Sequence, residues 1–427
     1  MSIEIYIEAL YNIPDELYKM LKNIDEKTVI NIYYKYNNPL IRFILDYLPK
    51  KNRLPDNIKQ IFFHDDYGSF NDVIYFVPKT LTHLTFGKKF DQPVDNLPLS
   101  LTHLTFGDWF NQSVDNLPNT LTHLTFGDWF NQSVNNLPKT LTHLTFGFDF
   151  DKSIYNLPDS LTHLTFKKFS MFERPLNKLP LSLTHLYLNN YFNRLVHKLP
   201  NGLTHLTFGI CFNQSVNYLP ETLTHLTFGK NFSQSVNYLP KSLTHLTFGT
   251  YFNQSVDNLP KTLTHLTFGE NFNQQVDNLP NTLTNLTFGE KFNQKVDKLP
   301  ESLTYLTFGY DFNQPVNNLP ESLTHLTFCQ KFNQKVDKLP ECIIQLKIYS
   351  KNNNITIPQN VKILHIYNNN NLLNNIPEHI EKLCILCYND VKKNIDNLPP
   401  SIKEILIIKE YEKYLKNIPF GTKITYI

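Results

Sequence analysis

Histidine recurs at a near-constant interval along this chain: His83, His103, His123, His143 and His163, then His185, His205, His225, His245 and His265, with His325 further on. A titratable, metal-ligating group copied at fixed spacing points first to metal binding or to proton-linked behaviour. Zinc needs imidazoles converging on one ion at about 2.0–2.1 Å. A regular column instead sets neighbours side by side about 4.8 Å apart, and no acid or thiol recurs beside them to complete a ligand set. Duplication of one exposed histidine is the plainer reading, so no metal or cofactor is expected. Cys384-x-x-Cys387 is a lone pair without a second one, and the Ile385-Leu386 between its cysteines reads as strand, not as a metal knuckle. No Gly-rich phosphate loop, metal-binding helix motif or nucleophile elbow is present. Catalysis needs one singular arrangement, and a residue repeated this often offers none. The chain is not expected to be an enzyme.

The histidines belong to a larger repeat. Thirteen units begin LTHLTFG or a variant of it, at Leu81, Leu101, Leu121, Leu141, Leu161 and Leu183, then every twenty residues from Leu203 to Leu323. Only the unit at Leu161 is longer, at twenty-two residues. A fixed period of this size means one short unit stacked on its copies. Numbered from the first leucine, as in Leu101, apolar residues occupy places 1, 4, 6, 10, 14 and 17: Leu101, Leu104, Phe106, Phe110, Val114 and Leu117. Places 3 to 6 alternate in the period of a half-buried strand. Histidine at place 3 and threonine at place 5 therefore face away from the core, and the threonines are expected to form a hydrogen-bonded ladder. Glycine usually follows at place 7, where a positive φ is the expected reason, with Asn189 tolerating the same conformation. Proline at place 18 forces an extended return without helix. The two phenylalanine columns, at places 6 and 10, are expected to be the spine of the core. Asparagine at place 11 is expected to bond backbone groups at the turn.

The pattern L-x-x-L-x-[LF] resembles the leucine-rich repeat in its shortest form, without a convex helix. The longer phrase F-N-Q-x-V-x-x-L-P-x-[ST]-L-T-x-L-T-F-G resembles the FNIP repeat of amoebae and giant DNA viruses. The resemblance implies a mainly β, leucine-rich-repeat-like parallel β solenoid of about 20-residue units. It implies regular repeats over 81–342, a degenerate first repeat at 58–80, and degenerate C-terminal repeats and a cap over 343–427 that open at Ile343, Val361, Ile380 and Ile402.

Residues 1–57 lie outside the repeat. Pro14 suits the first turn of a helix in which Leu17, Met20, Leu21 and Ile24 recur at helical spacing, followed by Val29, Ile30, Ile32 and Tyr33 and by a third run near Ile41, Ile44 and Leu45. IPDELYKMLKNIDEKTVINI resembles the start of an F-box, one residue short before its break, and Tyr33 to Asn37 depart from the usual ending. That resemblance implies that Pro14, Leu17, Leu21 and Ile24 bind an F-box adaptor. Read without it, the segment is a small α-helical cap on the first strand.

Net charge is +2 with 18% charged residues, which suggests neither a nucleic acid nor a membrane partner. Five cysteines without framework spacing, and a start lacking a basic and apolar leader, fit a cytoplasmic protein. If the chain is viral, that means the host cytoplasm. Places 8 and 9 vary between copies, and the two tryptophans, Trp109 and Trp129, fall there in adjacent units. Together with His103, His123 and His143 they are the candidate partner-binding residues. The expected function is a non-enzymatic protein-interaction scaffold, either as the substrate-recognition subunit of a cullin-type ubiquitin ligase or without ubiquitin linkage.

Overall fold

The computed structural model describes residues 2–7, 22–23, 29–34, 56–64, 71, 74, 77–336, 338–350, 355–367, 372–373, 375–386 and 394–426. The chain forms two compact units, Met1–Phe212 and Asn213–Ile427. Each is a stack of short parallel strands, one per turn. In the first unit the pairing runs from Ser2–Ile7 through Val29–Tyr34, Gln60–His64 and His83–Thr85 to His205–Thr207. In the second it runs from His225–Thr227 to Lys423–Tyr426. Register is constant: Leu84 faces Leu104, Leu104 faces Leu124, and Leu326 faces Leu346. No helix interrupts the described part of 81–342.

The six apolar columns are the core, with places 1 and 10 at or near zero exposure throughout. Phenylalanines 6 and 10 of one turn lie face to face, as Phe106 and Phe110 do at 3.7 Å, and successive turns repeat the pair at 5.5–6.1 Å. The Leu-Pro step has a second use besides stiffening the return. Leu101 N–H donates to Pro98 O at 3.1 Å, closing a tight turn that aims the chain into the next strand.

The polar letters of the repeat are ladders between turns. Asn111 Oδ1 accepts from the Asn131 N–H at 2.9 Å and from Gln132 Nε2 at 3.1 Å, and Asn293 does the same for Asn313 and Gln314. The expected role of asparagine at place 11 is thus observed, and glutamine at place 12 is its second donor. Hydroxyls at place 20 donate to the leucine carbonyl one turn back, as Thr120 does to Leu101 O at 2.7 Å.

Glycine at place 7 has a different reason from the one expected. Among the described residues only Asn417 and Gly421 have positive φ. A Cβ on Gly127 would instead stand 1.9 Å from Gly107 O. Glycine is needed because the turns nearly touch there. Where Lys167 replaces it, its N–H donates to Phe146 O at 2.9 Å, and the strand pairing extends by one residue to Phe146 and Phe166. The backbone is then held at ladder spacing, which leaves room for a side chain.

Asn189 also serves otherwise than expected. The two extra residues of the turn at Leu161 bury Ser170 and leave carbonyls facing inward. Asn189 Nδ2 donates to Ser170 O and Phe172 O at 2.6 and 2.9 Å, while its Oδ1 accepts from Phe192 N–H.

The run Val29, Ile30, Ile32 and Tyr33, expected as a helix, is a strand. Its β-branched and aromatic residues fit a pleated sheet, and its register sets Ile30 against Ile61 and Ile32 against Phe63. These are the partners that continue places 4 and 6. The strand stands where the F-box resemblance implies a second helix. Pro14, Leu17, Leu21 and Ile24, and the run at Ile41, Ile44 and Leu45, lie outside the described residues. After residue 342 the degenerate turns keep the register, Leu346 to Leu364 to Leu383 to Ile405.

Candidate interaction surface

The strands turn place 3 outward, as the alternation predicts. His83, His103, His123, His143, His163, His185 and His205 form a stack in the first unit, each ring 4.1 Å from the next and within 13° of parallel. In the second unit His225, His245 and His265 repeat it at 4.2 Å. Threonine at place 2, which sequence reasoning passed over, locks these rings. Thr102 Oγ1 donates to Thr82 O at 3.0 Å and lies 2.9 Å from His103 Nδ1. Thr82 O also accepts from the Thr102 and His103 N–H groups at 2.9 and 3.0 Å. The threonine oxygen thus fixes the ring through Nδ1, and once the imidazole is protonated Nδ1–H donates to that oxygen. The same pair of bonds recurs from Thr82 to Thr204. The constant Thr-His dipeptide is the signal that would have revealed it.

The expected threonine ladder is built by place 2 and not by place 5. The hydroxyls of Thr105, Thr125 and Thr145 make no hydrogen bond among the described residues and stand beside the imidazoles. Stacked parallel rings send their lone pairs in parallel, so neighbouring imidazoles do not converge on one ion. Among the described residues no group of three or more His, Cys, Asp or Glu side chains is placed to hold a metal. Cys384 is buried, and burial pushes its thiol up to about 11, away from the thiolate that redox chemistry needs. Its sequence partner Cys387 is outside the described residues.

Burial, and next the neighbouring imidazoles, lower the pKa of His103, His123, His143 and His245. Burial, then Lys347 and Lys382, holds His365 down to about 4. Folded pKa values below the unfolded value of about 6.5 mean that the unfolded chain binds more protons in acid. Stability is complete above that value and falls as pH drops through the folded pKa values. Charges about 4 Å apart repel by roughly 1 kcal/mol even in water. Urea denaturation at pH 7.5 and 5.5 is expected to show a loss in acid, reduced in a variant with His103, His143 and His185 changed to Gln. Equal losses in both proteins would mean that the column does not cause the effect.

The tryptophans form a second, separate stack on the rim beyond the strands. Trp109 and Trp129 lie 5.1 Å apart at 3°, with Lys89 Nζ 5.6 Å from the Trp109 ring. They are 36% and 50% exposed, so faces are covered and edges open. In the following turns Asp149 takes the tryptophans' place, and Phe148, Phe169, Met171 and Tyr191 are exposed there. The bulge of the long turn turns out Phe169 and Met171, and that two-residue insertion was their sequence signal.

The FNIP Repeat family model matches ten segments between residues 70 and 331. The chain belongs to the FNIP repeat family. Among solved structures this FNIP repeat chain is similar to CroV588, described as a novel circular leucine-rich-repeat protein, at 33% identity and TM-score 0.63, over 95% of this chain and 73% of that one. It is similar in fold to YopM from Yersinia enterocolitica WA-314, at 17% identity and TM-score 0.52, over 95% and 84%. No curated protein matches it. The FNIP phrase is now legible as packing: Phe in the core, Asn and Gln in the ladder, Leu-Pro in the turn. No helix among the described residues is long and apolar enough to cross a membrane.

Proposed function

We propose that this FNIP repeat chain is a non-enzymatic scaffold that binds a protein partner along the aromatic rim of its first unit. The supporting observation is the stacked, half-exposed Trp109–Trp129 pair, with Phe169 and Met171 exposed in the turns that follow. Rigid aromatic edges gain much apolar contact at little entropic cost, and such residues dominate interface energetics. His103, His123 and His143 belong to the neighbouring open face as a second contact surface. Affinity purification from the native cell is expected to recover a partner with the wild-type chain and to lose most of it with Trp109→Ala/Trp129→Ala. Equal recovery would overturn the rim as the binding site.

The finer proposal is that the partner is a substrate for a cullin-type ubiquitin ligase, with Pro14, Leu17, Leu21 and Ile24 docking an F-box adaptor. Against it stands the strand at Val29–Tyr34, which favours an N-terminal segment that simply begins the stack. Pull-down of adaptor and cullin by the full chain, lost in Leu17→Asp/Leu21→Asp, would support the adaptor reading. Absence of both proteins would leave a scaffold without ubiquitin linkage.

A further inference from the structure

The histidine column of the first unit has an open side that the fold does not use. Nδ1 of His103, His123 and His143 lies 2.9 Å from a threonine oxygen. A protonated ring carries hydrogen on both nitrogens, so it bonds the threonine through Nδ1–H and presents a positively charged Nε2–H on its other side. Beside them the free hydroxyls of Thr85, Thr105, Thr125, Thr145 and Thr165 offer a parallel row of donors.

The groups packed around His103, His123 and His143 set no opposite charge against them. On the Gln60–His64 side the register places neutral Gln60 against His83. The place-5 column is threonine except for Tyr187. The nearest formal charges along the strands are already paired, Lys167 with Asp128 at 3.1 Å and Lys88 with Asp108 at 3.4 Å. The electrostatic influences on His103, His123 and His143 come from other histidines alone.

We propose that this face is a binding site for an extended acidic peptide segment, closed at neutral pH and opened by protonation of the imidazole column. The proposal rests on the scaffold reading and names a partner chemistry for a surface distinct from the rim. Seven rings 4.1 Å apart make the column about 25 Å long, the span of about seven extended residues. Alternate side chains of such a peptide face the column about 6.6 Å apart. Glutamates at every second position thus meet a donor row of finer pitch, and each carboxylate can accept from one or two adjacent Nε2–H groups. Charge-assisted bonds of this kind are stronger than neutral ones. They also relieve the repulsion between neighbouring imidazolium groups, so binding draws protons in. Nucleic acid fits less well, because its affinity comes from lysine and arginine on phosphates, and among the described residues places 3 and 5 of these strands hold neither.

The test is titration calorimetry of the full chain with an alternating Glu-Ser peptide of about ten residues, at pH 7.5 and 5.5. A Gln-Ser peptide and a ten-nucleotide oligothymidylate serve as comparisons. The expected result is at least tenfold tighter binding of the acidic peptide at pH 5.5, with proton uptake seen in buffers of different ionisation enthalpy. His103→Gln/His143→Gln/His185→Gln should lose most of that gain. The single variant His123→Gln, whose folding is less at risk, should lose part of it. Equal affinity at both pH values, equal binding by the Gln-Ser peptide, stronger binding of the oligonucleotide, or no loss in the variants would each overturn the proposal. None of these outcomes bears on the rim, since Trp109→Ala/Trp129→Ala is judged by purification and leaves the column intact.

Discussion

Phe248→Ala is expected to destabilise the second unit by roughly 3–5 kcal/mol. The ring is 3% exposed, lies 3.7 Å from Phe252 in its own turn, and meets Phe228 and Phe268 at 5.7 Å in the turns on either side. Truncation removes three ring contacts at once, and the close-packed backbone around it cannot collapse to fill the space. Each turn touches only its neighbours, so the loss falls on the interfaces that hold the turn in the stack. Urea denaturation would register it as a lower midpoint or as an early phase in which the surrounding turns melt first. A change below about 1 kcal/mol would mean that the place-6 column is not the core spine.

Gly127→Ala is the second large effect, and its cause is purely steric. The added carbon would stand 1.9 Å from Gly107 O, 2.3 Å from Gly107 C and 2.6 Å from Asp108 Cα. All three are backbone atoms, so no flexible side chain can give way. Two turns must separate, at a cost of about 1–3 kcal/mol or more. Gly421 supplies the contrast, with φ at +84° and nothing within 4 Å of a Cβ. Gly421→Ala is expected to cost only about 1–2 kcal/mol, through backbone conformation. Thermal melts of the two variants separate the causes. Replacing Gly127 by Asn, which tolerates positive φ, should rescue nothing, while Gly421→Asn should be milder than Gly421→Ala. Rescue of position 127 by Asn would restore the conformational explanation.

The glycine column marks the limit of what the repeat reveals. Periodicity identifies which residues share a column and which columns face inward, and the parallel sheet, the phenylalanine spine and the extended return follow from that. It says nothing about how closely the copies approach. The crowding at Gly127 and the relief at Lys167 were invisible for that reason. The ends of the chain were obscured differently. Ile30 and Ile32 sit in a short apolar run that suits either a helix or a strand, and only their register with Ile61 and Phe63 decides between them. The strand Ser2–Ile7 lacks the repeating phrase and gave no warning, while Lys423–Tyr426 falls in the stretch expected as degenerate repeats and cap. On the candidate surface the histidines and tryptophans were found by their types and spacing. Threonine at place 2 was overlooked because its importance depends on the distances from its hydroxyl to Thr82 O and His103 Nδ1, which only the stacked turns set.

The asparagine ladder has one further consequence, for how such a chain changes length. Each rung takes its acceptor from the turn before and its donors from the turn after, as Asn293 does for Asn313 and Gln314. An in-frame duplication of one whole unit therefore brings one acceptor and one set of donors. Deletion removes the same set, and in either case the seam closes with every bond remade. Copy number can drift through unequal recombination almost invisibly to selection on folding, whereas an insertion of part of a unit has to be taken up inside one turn. The twenty-two-residue turn at Leu161 did so, with its strand still in register with the next and with Asn189 beside it to bond the stranded carbonyls.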